Sequence, residues 1–310
     1  MKKTFLYIAI FFSIITISSA NTFNFLRDFS NARSAALSGS VICIDNDLDI
    51  VIFNPAALNT VSNRNISVTF LKHTLDINSG AIQYILPVNW EDGKMSVSAL
   101  FTNYGSFDYV NKNGVFNGTF SANDLALGAT YSNILDTNLY YGVGLKFIYS
   151  NIEKYHSTAV ALDAGLLYKF ADERTNIAVS LLNVGTQLTT FDGIIESIPN
   201  DLRIGFNHKL KGMPLLFNLS FVNLAESTNK FFDRFKNIAI GGEFNIGKFI
   251  DLRVGYSNYI RNALNNELDK GLSGFSAGLG VKTDYIFIDY GASVYSASLY
   301  LHRFTLKFNL

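Results

Sequence analysis

The sequence predicts an all-β fold, a transmembrane antiparallel β-barrel of about fourteen strands with an N-terminal, partly helical plug. Charged residues are only 16% and aromatic residues 14% of the 310 residues, whereas soluble domains carry about 25% charged residues. After residue 20, no stretch approaches the ~18 consecutive apolar residues of a membrane helix. This combination is typical of a β-barrel, in which only every second residue faces lipid. The formal net charge of zero gives no support to a nucleic-acid partner.

Residues 1–20 have the pattern of a secretory signal peptide. Lys2 and Lys3 precede an apolar run over residues 5–17, and Ser18 and Ala20 place small side chains before the predicted cleavage point. The sequence therefore predicts cleavage after Ala20, export, and a location in a bacterial outer membrane. An uncleaved membrane anchor is the alternative, but the apolar run is short for a helical span.

Residues 21–63 contain no clean strand and are predicted to form a plug or hatch segment. They are too apolar for a solvated tail, and Asn54-Pro55 is a natural helix start. The interior of the barrel is the nearest surface that can cover them.

Arg33 is the most testable residue of this segment. If its helical stretch enters the barrel, the guanidinium needs a carboxylate, because a buried unpaired charge is costly. The candidate partners are Asp45, Asp47, Asp163, Glu243 and Asp251. A solvated arginine at the mouth of the barrel is the alternative.

Residues 64–310 are predicted to form the barrel, because large apolar side chains alternate there with small or polar ones. For example, Val143, Leu145 and Phe147 alternate with Gly144 and Lys146. The predicted strands are 64–72, 78–87, 94–104, 119–132, 138–150, 158–170, 174–184, 201–210, 214–224, 236–246, 250–259, 272–282, 285–293 and 300–309. Short connections alternate with longer ones at 105–118, 185–200, 225–235 and 260–271, a rhythm typical of outer-membrane barrels. A soluble β-sandwich, the alternative, has no reason to keep it.

Three features resemble catalytic or metal-binding sites, but each lacks an element that such a site requires. The G-x-S-x-G run from Gly274 to Gly278 lies within a predicted strand and lacks the helix that a nucleophile elbow requires. The D-x-D-x-D run from Asp45 to Asp49 lacks the glycine and the final glutamate of a calcium loop. The four histidines show no metal-ligand spacing. We therefore expect a protein without catalytic residues, metal or cofactor, and not an enzyme.

Motifs in the plug segment resemble the opening of the PorV/PorQ family, which belongs to the wider group of barrels similar to the fatty-acid transporter FadL. Later motifs, such as Arg253-x-Gly255-Tyr256 and Asp289-Tyr290-Gly291, resemble its PorQ branch. Ser38-Gly39 departs from the glycine pair of the family, and Leu310 from the usual aromatic C-terminus. The plug and family-motif residues are Arg33, Gly39, Asp45, Asp47, Asn54, Pro55 and Ala56.

The resemblance implies an outer-membrane component of the type IX secretion system. Such a barrel would anchor the cell-surface attachment complex that processes exported proteins. Its partners would be a PorZ-like surface protein, PorU- and PorV-like components of that complex, and outer-membrane lipid. The alternative function is a FadL-like channel for small hydrophobic molecules.

Overall fold

The computed structural model describes residues 23–310 except 29, 63–64, 112, 192, 194, 227, 229–230 and 264–270. Over these residues, fourteen antiparallel strands form a closed barrel in which β1 pairs with β14. The predicted fold class is confirmed, and the predicted signal peptide lies outside the described residues. The strands are β1 Asn65–Lys72, β2 Asn78–Trp90, β3 Gly93–Val110, β4 Phe116–Asp136, β5 Leu139–Ile152, β6 Tyr155–Lys169, β7 Thr175–Thr189, β8 Asp201–Lys209, β9 Leu215–Phe221, β10 Ile238–Ile246, β11 Ile250–Ser257, β12 Phe275–Lys282, β13 Ile286–Ser296 and β14 Leu299–Asn309.

The wall has an apolar outer face and a buried inner face, because side chains alternate along each strand. In β5, Val143 and Leu145 point outward and are 50% and 55% exposed, while Lys146, Ile148 and Ser150 are buried inside. The same alternation runs through β11 and β14. No helix among the described residues is long and apolar enough to cross a membrane.

The two ends of the barrel differ. At one end, which we call the short-turn end, consecutive strands are joined by brief connections such as 91–92, 137–138 and 247–249. Strand β1 begins at this end, and strand β14 finishes there. At the other, the long-loop end, the connections include 190–200, 222–237 and 258–274. The described parts of these loops include a 3₁₀ helix at Phe231–Lys236 and an α-helix at Asn258–Ala263.

The prediction of a loop over residues 105–118 is wrong. β3 and β4 continue through most of it, and the connection shrinks to 111–115. Gly105, with a φ of +80°, lies at a register shift inside the sheet, where a glycine tolerates the bulge. Beyond Asn103 and Ala122, the two strands pair only with each other, and the rings of Phe107 and Phe120 stack at 5.3 Å. We call this extension the β3–β4 ribbon.

The described part of the N-terminal segment, residues 23–62, fills the interior of the barrel and is called the plug below. It holds helices α1 (Phe25–Asp28) and α2 (Ala32–Ala36) and two 3₁₀ helices, Leu48–Ile50 and Pro55–Thr60. Its aliphatic side chains are buried against inward-facing wall residues such as Leu167 and Ala178. Each such side chain contributes about 1.5–3 kcal/mol when fully buried. The buried aliphatic plug residues include Leu37, Val41, Ile42, Ile44, Leu48, Ile50 and Leu58.

Candidate functional site

Local capping fixes helix α2, the part of the plug that carries Arg33. Asn31 is the N-cap, and its side-chain oxygen accepts the backbone N–H of Ser34 at 2.8 Å. The helix ends where Ser38 and Gly39 adopt positive φ, and the Gly39 N–H donates to the carbonyl of Ser34 at 2.8 Å. Gly39 of the family motif therefore terminates the helix and turns the chain back into the lumen.

Small wall residues allow α2 to lie directly against the sheet. A Cβ added at Gly291 would stand 2.2 Å from the carbonyl oxygen of Ala32, and one at Gly278 would stand 2.4 Å from the Cβ of Ala36. Ser276 of the same wall donates to the carbonyl of Ala36 at 2.9 Å. The glycines of β12 and β13 thus allow the backbone of α2 to approach the sheet closely, which a side chain at either position would prevent.

The Asn54-Pro55-Ala56 motif docks on the opposite wall in the same way. Asn54 caps the following 3₁₀ helix through the Ala56 N–H at 3.1 Å and donates to the carbonyl of Ile42 at 2.9 Å. A Cβ at Gly165 would lie 2.0 Å from the Asn54 side-chain oxygen, and one at Gly142 would lie 2.3 Å from the Pro55 carbonyl carbon. The plug is therefore held between two glycine-lined walls.

Arg33 connects the plug to the wall through ion pairs near the short-turn end. Its Nε and Nη2 donate to the carboxylate of Glu243 at 2.8 and 2.6 Å, and its Nη1 donates to Asp47 at 2.6 Å. The structure thus pairs Arg33 with two of the five carboxylates named from the sequence. Of the other three, Asp163 pairs with Lys146 at 2.9 Å, and Asp251 accepts from Arg253 at 3.1 Å. Asp45 pairs with Lys169.

Wall residues extend this ion-pair network. Arg253 donates to Glu243 at 2.6 Å and to Asp289 at 2.5 Å. Lys307 lies 3.0 Å from Asp47, 3.1 Å from Asp49 and 3.4 Å from Asp289. Removing one member of a buried pair strands its partner, which typically costs about 3–5 kcal/mol. The network therefore locks the plug at the short-turn end.

The pKa values of the two plug carboxylates beside Lys307 are shifted in opposite directions. Burial opposes ionisation of Asp47, but Lys307 and Arg33 outweigh it and hold the pKa of Asp47 well below its ordinary value. Burial prevails at Asp49 and raises its pKa, although Lys307 acts in the opposite direction. Asp47 thus bridges the plug cation Arg33 and the wall cation Lys307.

A separate cavity of about 200 Å³ lies between the plug and the wall at the long-loop end. Ser34, Ala35, Ser38 and Phe53 of the plug form one side. The strand ends and long loops form the other side, with Arg203, Val222, Asn223, Ser257, Tyr259, Ile260, Ala263, Ser293, Tyr295 and Arg303 among its residues. Helix α2 lies between this cavity and the ion-pair network. Ser34 and Ala35 line the cavity, whereas Arg33 belongs to the network.

The sequence alone indicates no role for Arg203, Arg303 or Lys307, and it marks Arg253 only as part of a family motif. The available signal was alternation: each lies on the inward face of a strand, where a charge must find a partner or water. Arg203 pairs with the nearby Asp201 of its own strand. Arg253, however, reaches Asp289 of β13, and Lys307 reaches Asp47 of the plug, so only the closed barrel brings these partners together.

A scan against protein-family models found no match, and a comparison with curated proteins found none. The PorV/PorQ resemblance therefore rests on the sequence motifs alone.

Solved structures match over nearly the whole chain. The toluene transporter TodX of Pseudomonas putida is 12% identical, with a TM-score of 0.59, covering 93% of this chain and 98% of its own. The toluene transporter TbuX of Ralstonia pickettii is 12% identical, with a TM-score of 0.58, covering 92% and 99%. A FadL homologue of Pseudomonas aeruginosa is 10% identical, with a TM-score of 0.57, covering 90% and 98%. The chain therefore has the fold of the FadL-like outer-membrane barrels.

Proposed function

We propose that this protein is an outer-membrane channel that admits small, largely apolar molecules from the long-loop end. The observation that carries the proposal is the cavity between the plug and the wall, in a fold shared with proteins described as toluene transporters. The apolar outer wall suits a bilayer, and outer-membrane barrels direct their longer loops to the outside. The long-loop end is therefore extracellular in this proposal, and the short-turn end periplasmic.

The size and lining of the cavity suit a compact apolar molecule. It measures about 200 Å³, and an apolar cavity of about 150 Å³ is sufficient to hold benzene in another protein. Part of the lining is apolar and comes from Phe53, Val222, Ile260, Ala263 and Tyr295. Covering this surface with an apolar molecule is favourable, because it removes apolar area from water.

Passage through the barrel requires the plug to move. The ion-pair network and the buried aliphatic side chains hold the plug at the short-turn end. A molecule in the cavity therefore faces a closed periplasmic side until α2 shifts against its glycine-lined wall. In this proposal the plug acts as a gate and the cavity as the waiting site above it.

Uptake by whole cells tests this function, because an intact outer membrane slows hydrophobic molecules. The protein is expressed in a bacterium without its own aromatic hydrocarbon channel, and the initial uptake of radiolabelled toluene is measured. Val222→Trp, which puts a large side chain into the cavity, should lower uptake toward that of cells without the protein. Val179→Trp, on the lipid-facing side of β7, is the matched control and should leave uptake unchanged. Equal uptake with and without the unaltered protein would overturn the proposal.

A second function, anchoring of a surface attachment complex, is favoured by the PorV/PorQ motifs and by the β3–β4 ribbon. Along the ribbon, Phe107, Tyr109, Val110, Val115 and Phe116 are exposed beyond the neighbouring strands. Exposed apolar patches of this kind mark interaction sites. The partners would be a PorZ-like surface protein with PorU- and PorV-like components.

Affinity purification from detergent-solubilised membranes of the native organism tests the anchor. Recovery of attachment-complex proteins with the unaltered chain, and their loss with Phe107→Ser and Phe116→Ser together, would support it. Recovery of the barrel alone, under conditions that keep membrane complexes intact, would exclude it.

A further inference from the structure

Asp124 of β4 differs from the other buried carboxylates of the barrel, because no described lysine, arginine or histidine pairs with it. It is 5% exposed, and its two oxygens accept hydrogen bonds from the hydroxyls of Tyr104, at 2.6 Å, and of Ser150. Hydroxyl groups supply hydrogen bonds but no countercharge, and they leave about two of the four lone-pair positions of a carboxylate free. The buried carboxylates that do hold a cation are Asp47, Asp49, Asp163, Asp201, Glu243, Asp251 and Asp289.

Asp124 lines a cavity of about 320 Å³ at the long-loop end, where the β3–β4 ribbon leaves the wall. This cavity shares no described lining residue with the cavity between the plug and the wall, and no described cation lines it. Its volume lies in the range of about 300–1,000 Å³ that is usual for ligand pockets, which combine an apolar lining with a few polar groups. Besides Asp124, the lining consists of Tyr104, Phe107, Phe120, Ala122, Ser150 and Ile152.

The bulge at Gly105 brings the aromatic side chains of this cavity together. Phe120 and Asp124 are four positions apart in β4, so both side chains lie on its inner face. Tyr104 of β3 shares that face, and strict alternation would turn Phe107 to the outside. The register shift at Gly105 instead places Phe107 directly opposite Phe120, and the two rings stack at 5.3 Å. The glycine therefore directs two aromatic rings of β3 to the cavity that holds Asp124.

A carboxylate beside aromatic rings suits an organic cation. The face of an aromatic ring attracts an ammonium group, and a carboxylate forms a short, charge-assisted hydrogen bond with it. An inorganic cation would leave the apolar lining uncovered, and calcium requires six to eight oxygen ligands. An uncharged molecule would leave Asp124 without a countercharge.

We propose that this cavity binds a small organic cation, namely a protonated primary amine carried on a compact apolar body. The ammonium group donates to Asp124, and the apolar body lies against Phe107 and Phe120. The inference goes beyond the proposed function, because it assigns a second ligand site that lies outside the channel cavity. It holds whether or not the ligand then passes the plug.

Isothermal titration of the purified full-length protein in a non-ionic detergent tests the proposal. The probe is 2-phenylethylamine at neutral pH. It is compared with 2-phenylethanol, a neutral molecule of nearly the same shape, and with ammonium and calcium ions, which carry charge without an apolar body. The amine should bind about ten- to a hundredfold more tightly than the alcohol, the difference expected for a charge-assisted pair. Equal affinities for the amine and the alcohol, or tighter binding of either inorganic ion, would overturn the proposal.

Two substitutions in the cavity identify the groups that bind the amine. Asp124→Asn keeps the shape of the side chain but removes its charge, so it should abolish the preference for the amine and leave the affinity for the alcohol unchanged. Asp136→Asn makes the same change at the exposed, short-turn end of the same strand and is the matched control. Phe107→Leu removes a ring of the ribbon beyond the closed wall and should weaken amine binding severalfold.

Heat-modifiable migration on gels checks that each variant is a folded barrel. An unchanged preference for the amine in folded Asp124→Asn would exclude Asp124 as the cation site. If Asp124→Asn does not fold, Phe107→Leu decides, because unchanged amine binding there would exclude the cavity at the ribbon.

The channel and the amine site fail in different measurements. If the amine binds through Asp124 but the protein does not speed the uptake of toluene, the site stands and the channel does not. If toluene uptake depends on the protein while the amine binds no better than the alcohol, the channel stands and the amine site does not.

Discussion

Arg33 and Glu243 lie 210 positions apart in the chain, yet they form a two-point ion pair with distances of 2.8 and 2.6 Å. The pair joins the plug to strand β10, and Asp47 completes the contacts of the guanidinium at 2.6 Å. Because the three groups are buried, their hydrogen bonds substitute for water that the lumen excludes. This connection explains how a short N-terminal segment holds its place inside a barrel.

Replacing Arg33 should destabilise the folded barrel. Arg33→Met removes one of the two cations that face each of the carboxylates of Glu243 and Asp47, while Arg253 and Lys307 remain. We therefore expect a loss of about 3 kcal/mol, the low end of the cost of breaking a buried pair. The unfolding midpoint in urea, followed by heat-modifiable migration on gels, measures the effect. Lys236→Met removes an exposed pair with Asp233 and should cost no more than about 1 kcal/mol. Equal midpoints for the two variants would show that the network does not hold the plug.

The single cysteine, Cys43, reports on docking of the plug. It is 2% exposed, and burial raises the pKa of its thiol, which disfavours the reactive thiolate. A maleimide should therefore label the native protein slowly. Gly291→Ala, whose new Cβ would meet the carbonyl of Ala32, should speed labelling because α2 can no longer seat.

Gly242→Ala provides the control for that experiment. Gly242 does not face the plug, and a Cβ added there would meet a Leu215 methyl group at 3.3 Å as its nearest neighbour. Labelling of this variant should match that of the unaltered protein. Equally fast labelling of the unaltered protein and Gly291→Ala would contradict a tightly docked plug.

Charge on the outer wall should be poorly tolerated. Val254 is 57% exposed on the outer face of β11, so Val254→Arg would place a guanidinium in hydrocarbon at a cost of about 2–4 kcal/mol. Val254→Leu is the matched control, because it adds volume without charge. Similar unfolding midpoints for both variants in lipid bilayers would show that this face does not contact lipid.

Protease added to intact cells should cut only at the long-loop end. Cleavage is expected within 190–200, 222–237 or 258–274, where the connections are long enough to enter a protease. Cleavage at 137–138, 170–174 or 247–249 would show that the barrel has the opposite orientation to the one proposed.

The sequence predicted the barrel well because alternation is a local property. Spacing alone predicts that Val143 and Leu145 lie on the outer face of the barrel, and the structure places them there. The prediction of a loop at 105–118 is wrong because a glycine such as Gly105 usually indicates a turn. In the structure, β3 continues to pair with β4 past Gly105, which lies in a β-bulge.

The interior was harder to predict because its contacts cross the lumen. Alternation with Ile204 and Phe206 places Gly205 on the inner face, but it does not show that a side chain there would collide with the plug, at Ile42 and Cys43. The sequence named Asp47 and Glu243 among five possible partners of Arg33, and only the closed barrel selects them. Alternation likewise places Arg303 on the inner face, but it does not show which groups surround the guanidinium.

Locking the plug tests the proposed gate most directly. The hydroxyl oxygens of Ser38 and Ser276 lie 2.6 Å apart. Ser38→Cys and Ser276→Cys, in a Cys43→Ala background, should therefore form a disulfide between the turn that follows α2 and strand β12. The initial uptake of radiolabelled toluene is measured in whole cells before and after oxidation, and again after reduction. If the plug must move, oxidation should lower uptake toward that of cells without the protein, and reduction should restore it. Unchanged uptake through a fully cross-linked protein would contradict the proposed gate.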